Sequence, residues 1–348
     1  MGVEQGRPIT LRTIAEEVGV HISTVSRVLA AADADLSRWA APETAKLIRD
    51  TARELGYHRN VYASTLRTAR SNLVGVIVPR LQDYVLATVY EGIEEAAIEN
   101  GLFTFVTNSL DREEDQRTRT EMMLERRVGG LIFGDAHLDN PFLDEIRSRG
   151  VPTVLVSRHS GDHISVTCND YLGGRLVGEH LLAIGRRDVA ILAGMPFAST
   201  SQNRTQGVID AYRDAGIEIP QERIVYSGFD AAGGRAGAEA ILATNNYPDS
   251  IFATNDFAAI GALGVLRDRG LTVPDDVALV GYNDIPLARE MMVALTTVRS
   301  PMHQMGRRAL EMLVSVMNGK TVSTVQLDPK LIIRMSTSAL AGRADETS

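Results

Sequence analysis

The strongest constraint on this chain is a rhythm that starts near Ser71: apolar runs of five to seven residues, separated by stretches long enough for a helix. The runs read "LVGVIVP", "FTFVT", "GGLIFG", "PTVLVS", "ISVTC", "DVAILAG", "IVYSG", "SIFATN" and "VALVGY". Between them lie segments such as the one carrying Val89, Ile93 and Ala96, whose spacing puts apolar side chains on one helical stripe. Strands of near-continuous apolar character that alternate with helices pair in parallel and are covered on both faces. The elements are too many for one sheet of ordinary size, so the spacing predicts two doubly wound α/β subdomains with a cleft between them.

Ligands in such architectures sit at the C-terminal ends of the strands and between subdomains. Polar residues recur there: Tyr84 after the first run, Arg158 after "VLVS", Asn169 and Asp170 after "ISVTC", and Arg204 beyond "AILAG". Phe229 and Asp230 follow "IVYSG", Asn255 and Asp256 follow "SIFAT", and Asn283 and Asp284 follow "ALVGY". Carboxylates, amides and guanidinium groups each hold two neighbouring hydroxyls, and an aromatic ring covers an apolar sugar face. Any one of these residues is equally well read as a helix cap or a turn; the recurrence at successive strand ends is what singles them out.

At 348 residues the chain is long enough for two or three compact units. A single cysteine, Cys168, excludes a disulfide framework and a cysteine metal cluster, and is read as a small buried apolar side chain. No apolar run is long enough to span a bilayer, and "MGVEQGRPIT" lacks the basic-then-apolar order of a signal peptide, so a cytoplasmic location is expected. The formal net charge is -8, yet residues 1–70 hold ten Lys/Arg against eight Asp/Glu. Within them, the segment from Tyr57 to Arg70 has three arginines and no acid. That is an uneven charge distribution compatible with nucleic acid.

The N-terminal region reads "TLRTIAEEVGVHISTVSRVLA" from Thr10 to Ala30. Thr10 is a good N-cap, Leu11, Ile14, Ala15 and Val18 form one apolar stripe, and Gly19 stands where a left-handed residue ends a helix. A second helix is predicted from about Ile22 to Leu29. On it Val25, Val28 and Leu29 fall together, while Ile22, Ser23, Ser26 and Arg27 occupy a separate arc about 140° wide. Short hydroxyl side chains let such a face approach phosphates, and Arg27 offers two parallel donors to guanine O6 and N7. Pro42 suits a first helical turn, and Ile48, Ala52 and Leu55 supply a third stripe.

The order Thr-Leu, Ile-Ala, Val-Gly-Val, Thr-Val-Ser-Arg-Val-Leu resembles the headpiece of the lactose-repressor (LacI/GalR) family. The resemblance continues through Leu55, Gly56, Tyr57, Asn60 and "NVYASTLRTARSNLVGVIVP" and covers nearly the whole chain. It implies a helix-turn-helix DNA-binding headpiece (1–58), a hinge helix or linker (59–70), a two-subdomain periplasmic-binding-protein-like core (71–340) and a short polar tail (341–348). It also implies DNA contacts. Ile22, Ser23 and Arg27 read bases; Thr10, Thr24, Ser26, Tyr57 and Asn60 meet the backbone; Ala63 and Leu66 enter the minor groove, with Leu66 as the wedge. In the core it implies effector contacts by Arg204, Phe229, Asn255 and Asn283, and less directly by Asp170 and Asp256. The chain departs from the family pattern at His21, where a serine is usual, at Ala30 and Arg59, and in a longer connection, "AAADADLSRWAAP". The only tryptophan, Trp39, lies in that connection, read as packing on the headpiece or as touching DNA.

An enzyme is disfavoured: no dinucleotide fingerprint follows the first run, no phosphate-cradling loop with Gly-Lys-Ser/Thr occurs, and no paired histidines stand at metal spacing. The glycine-rich "AAGGRAGAEA" is read as easing helix packing. A sugar-binding transport protein would share the core but would need export and no headpiece. The expectation is therefore a DNA-binding regulator, most simply a repressor that acts as a homodimer on double-stranded operator DNA. It carries no cofactor and takes a small-molecule effector, a sugar first and a nucleobase second. The helix after Asp256, with Leu263 and Leu266, either contributes to the dimer or packs on its own sheet. The polar ending "ALAGRADETS" argues for a dimer rather than a coiled-coil tetramer.

Overall fold

A computed structural model describes residues 9–30, 38–57, 71–244 and 246–338. The chain divides into two compact units, Met1–Arg70 and Ser71–Ser348.

In the first unit, α1 (Leu11–Val18) starts at Thr10, whose side chain accepts from the Thr13 backbone while Thr13 answers on the Thr10 N–H, a reciprocal capping box. Gly19 ends α1 at φ 70, a left-handed conformation that glycine adopts without steric cost. Then α2 (Ile22–Ala30) begins behind His21. The His21 carbonyl accepts from Thr24 and Val25, and its ring Nδ1 lies 3.2 Å from the Ser23 backbone nitrogen, which donates to it. Imidazole thus does the capping work of the serine usual in the family. The third helix, α3 (Pro42–Glu54), has proline in its first turn. Ile14, Ala15, Val25, Val28, Ala45, Ile48 and Ala52 form the core, with Trp39 packed against it. Asn60, Ala63 and Leu66 lie outside the described residues.

The second unit contains two six-stranded sheets. The first has the order β11-β5-β4-β3-β1-β2 and is parallel throughout. Its strands are β1 (Leu73–Val78), β2 (Phe103–Asn108), β3 (Gly130–Phe133), β4 (Thr153–Val156), β5 (Ser165–Cys168) and β11 (Val325–Leu327). The second has the order β12-β10-β9-β8-β6-β7, in which only the edge strand β12 is antiparallel. It comprises β6 (Val189–Gly194), β7 (Ile224–Tyr226), β8 (Ser250–Ala253), β9 (Ala278–Asn283), β10 (Thr296–Arg299) and β12 (Lys330–Ile332). Each sheet carries an apolar cluster on both faces, as buried parallel strands require.

The nine apolar runs of the sequence are β1 to β9. The chain then crosses between the sheets three times: after β5, after β10 and after β11. Leu266, in the helix Asp256–Asp268, is fully buried in the core of its own subdomain, and Leu263 packs against the same cluster. These two leucines are therefore engaged within the subdomain. In "AAGGRAGAEA", a side chain on Gly234 would collide with the Ala258 backbone, so the glycine permits close helix packing. Cys168 is buried, and burial pushes its thiol up to about 12.

Candidate functional site

Between the two sheets, a cleft opens at the C-terminal ends of the strands. The first subdomain contributes Asp83, Leu86, Gly134, Ser157 and Arg158, and the second contributes Thr200, Arg204, Phe229, Asn255 and Asn283.

Each position follows from its local structure. Arg158, just after β4, is 6% exposed and donates to both Asp111 oxygens at 2.6 and 3.3 Å. Its guanidinium also stands 5.7 Å from the rings of Phe197 and Phe229. Arg204, on the helix Ser199–Asp214, is held at 2.7 Å by Asp170 through Nε and at 2.7 Å by the Thr254 carbonyl through Nη1, and it lies 3.7 Å over the Tyr282 ring. Asn255 caps its helix by accepting from Ala258 and donates to the Phe229 carbonyl at 2.6 Å, which fixes the loop that carries the ring. Gly194, at φ 73, has Phe229 and Ser201 so close that a Cβ there would meet both at 2.6 Å.

Asn283 ends β9 at φ 108, and its buried side-chain oxygen has no hydrogen-bond partner. Asp83 caps the helix Tyr84–Glu99 by accepting from Val85 at 2.9 Å, and burial raises its carboxyl above the usual range.

Six described non-glycine residues have positive φ; two of them, Ser157 and Asn283, line this cleft, and a third, Asp111, holds the lining residue Arg158. Such conformations cost about 1–3 kcal/mol each and concentrate where ligands are held.

Loops at the cleft also clasp one subdomain to the other. His137 stacks on Phe197 with centroids 4.1 Å apart, the Leu138 N–H donates to the Phe197 carbonyl, and the His159 N–H donates to Ser199 Oγ at 3.0 Å.

Of the core residues singled out in the sequence, Arg158, Arg204, Phe229, Asn255 and Asn283 come together at the cavity; Asn169 and Asp230 cap helices, Asp284 lies beside Asn283 outside the lining, and Asp170, Asp256 and Tyr84 do not line it either. Asp170 is buried behind the lining and spends its carboxylate on Arg204. Asp256 is fully buried, accepts from the Ile285 N–H at 2.8 Å and the Thr297 hydroxyl at 2.6 Å, and is pushed up to about 7 by burial; it braces β10 against its helix. Tyr84 is 39% exposed and off the cavity, whereas its neighbours Asp83 and Val85 line it. Sequence reasoning passed over Asp83, Ser157 and Thr200; the helix-capping position of Asp83 was the only local signal for any of them.

In the first unit, Ile22 and Arg27 are exposed on α2, and Ser23, Thr24 and Ser26 are partly exposed, opposite the buried Val25 and Val28. Thr10 is exposed at the start of α1, and Tyr57 packs against the headpiece core.

Comparison with known proteins joins the two units in one picture. The family described as "Periplasmic binding protein-like domain" matches residues 179–337. The HTH-type transcriptional repressor PurR of Pasteurella multocida is 28% identical over 332 residues, covering 94% of this chain and 98% of that protein. The PurR of Serratia proteamaculans is likewise 28% identical over 333 residues, 94% and 96% of the two chains. A LacI-type headpiece and a binding-protein core thus match together along one chain. The chain is similar to LacI/GalR-family repressors along nearly its whole length.

Solved structures of the family agree. A complex of the transcriptional regulator CelR with cellobiose is 28% identical with a TM-score of 0.71, covering 95% of this chain and all of that one. The Lac repressor dimer bound to operator and the anti-inducer ONPF is 25% identical with a TM-score of 0.85, covering 96% and all of the two chains. These relatives are transcriptional regulators, not enzymes. Among the described residues no helix is long and apolar enough to cross a membrane, and no cluster of His, Cys, Asp and Glu is arranged to hold a metal ion.

Proposed function

We propose that the protein is a ligand-responsive cytoplasmic repressor that reads a pseudo-palindromic operator as a homodimer through α2, and that its effector is an uncharged polyhydroxylated molecule, a sugar, bound between the core subdomains. The observation that carries the effector class is the charge state of the cavity. Both guanidinium groups that line it already have a carboxylate of their own, Asp111 for Arg158 and Asp170 for Arg204. An anionic ligand would find no unmatched cation there, while Asn283 leaves a buried acceptor for a hydroxyl and Phe229 offers an apolar face. The cellobiose complex of CelR lends the sugar class further support. A planar nucleobase is the second reading, because the Phe229 ring also suits stacking.

Thermal unfolding of the full chain against matched neutral sugars, sugar phosphates and purines tests this. A ligand at a hundred times its dissociation constant adds about 2.7 kcal/mol of stability. Stabilisation by a neutral sugar that is lost in Asn283→Ala supports the reading, and stabilisation by sugar phosphates alone overturns it. For the headpiece, Arg27→Ala should cost about 1–3 kcal/mol of operator binding and relax selectivity at one base pair per half-site.

A further inference from the structure

We propose that Trp39 is a positioning residue for base recognition, whose indole holds the Arg27 guanidinium in the orientation that reads DNA. This rests on the assignment of α2 as the reading helix. The Arg27 guanidinium carbon stands 4.9 Å from the centroid of the Trp39 ring, and that of Arg38 stands 5.2 Å from the same ring. Trp39 is itself partly buried against the headpiece core, so the platform is anchored while both arginines remain exposed.

The geometry matters because of how guanidinium bonds. Its five N–H donors lie in the plane of the group, and its faces carry none. A stack on an aromatic ring therefore engages a face, restrains a long and otherwise mobile side chain, and leaves the in-plane fork free for guanine O6 and N7. A carboxylate partner would instead occupy that fork. The contrast is present in the same unit: Lys46 and Arg53 of α3 are both paired with Asp50, while among the described residues no carboxylate pairs with Arg27. Arg38, on the same ring, sets a second positive charge beside the first, as a phosphate contact adjoining the base contact requires. The feature belongs to this chain's lengthened connection between the second and third helices, so it tunes the reading of one base pair without altering the headpiece fold.

The test uses the full-length protein, a duplex selected by it from random DNA, and the set of single base-pair substitutions of that duplex. Trp39→Ala should lose about two- to fivefold in preference at the base pair where Arg27→Ala loses its own preference. Trp39→Phe should keep most of that preference, and the double variant should be no less selective than Arg27→Ala. Because Trp39 is the only tryptophan, Arg27→Ala should also change the tryptophan emission of the free protein. Unchanged emission would show that the two side chains do not meet. A uniform loss of affinity for all duplexes in Trp39→Ala, repeated in the Arg27→Ala background, would make Trp39 a purely structural residue and overturn the proposal. Wild-type selectivity in Arg27→Ala would overturn the assignment of the reading helix itself, a failure distinguishable from the other two.

Discussion

Replacing Asp135 by Asn should remove a defined part of the core's pH dependence. Asp135 follows β3, is 1% exposed, and has no hydrogen-bond partner on either carboxylate oxygen. Burial pushes its pKa up to about 6, against 3.8 for the free side chain, and the nearby Ser109 and Gln116 offset only part of this. The folded state therefore binds the proton more tightly than the unfolded chain does. Stability from this group is fully present below 3.8 and is lost as pH rises through about 6. With those two values the contribution is about 1.4 kcal/mol at pH 5 and close to zero at pH 8.

Urea unfolding of the wild type and Asp135→Asn at both pH values, followed by far-ultraviolet circular dichroism, reads the difference directly. All other titrating groups are common to the two proteins and cancel. The wild type should lose about 1.4 kcal/mol more than the variant between pH 5 and pH 8. Equal losses would mean that the carboxylate stays charged at pH 5 in the folded protein, and the reasoning from burial would fail.

Thr10→Ala breaks the capping box of α1 and should cost the headpiece about 0.5–2 kcal/mol, seen as faster amide exchange confined to that unit. Gly194→Ala forces a left-handed alanine against Phe229 and Ser201; it should cost about 1–3 kcal/mol and abolish effector-induced stabilisation while operator binding survives. Sedimentation at micromolar concentration should give about twice the 37.8 kDa chain mass; a monomer that still binds its operator tightly would overturn the dimer.

How legible each element was depended on whether its residues carry the signal themselves. Of β1 to β9, all but the edge strands β2 and β7 lie inside their sheets, and the apolar runs of those interior strands are the direct consequence of burial on both faces. The remaining three do not show such runs. β10 reads "TTVR", and β11 and β12 are three residues each at sheet edges, where one exposed side admits Gln326 and Lys330. Their pairing is decided by the return of the chain after the helix Met302–Met317, a non-local event with no periodicity. The headpiece was readable almost to the residue because its caps are local: Thr10, Gly19 and Pro42 each act within one turn.

The site divides along a different line. A polar residue at a strand end is visible in the sequence, but whether it faces the cavity or braces a residue that does is fixed by rotation about the strand axis and by what lies behind. Arg204 and Asp170 illustrate this: both follow buried strands, and their 2.7 Å contact makes one the lining and the other its support. The left-handed residues were invisible for a further reason. Glycine would have announced such backbone, but Ser157, Asn283 and Asp284 occupy it at a cost of about 1–3 kcal/mol apiece. The compensation is specific at Asp284, whose carboxylate binds Arg299 at 2.7 Å and Arg334 at 2.6 Å. Those two ion pairs tie the end of β9 to β10 and to the segment after β12. The Asn283 side chain next door keeps an unpartnered oxygen at the cavity wall. Strain at Asn283 is thus sustained by bonds made at Asp284, which leaves the one acceptor nearest the cavity free for a ligand.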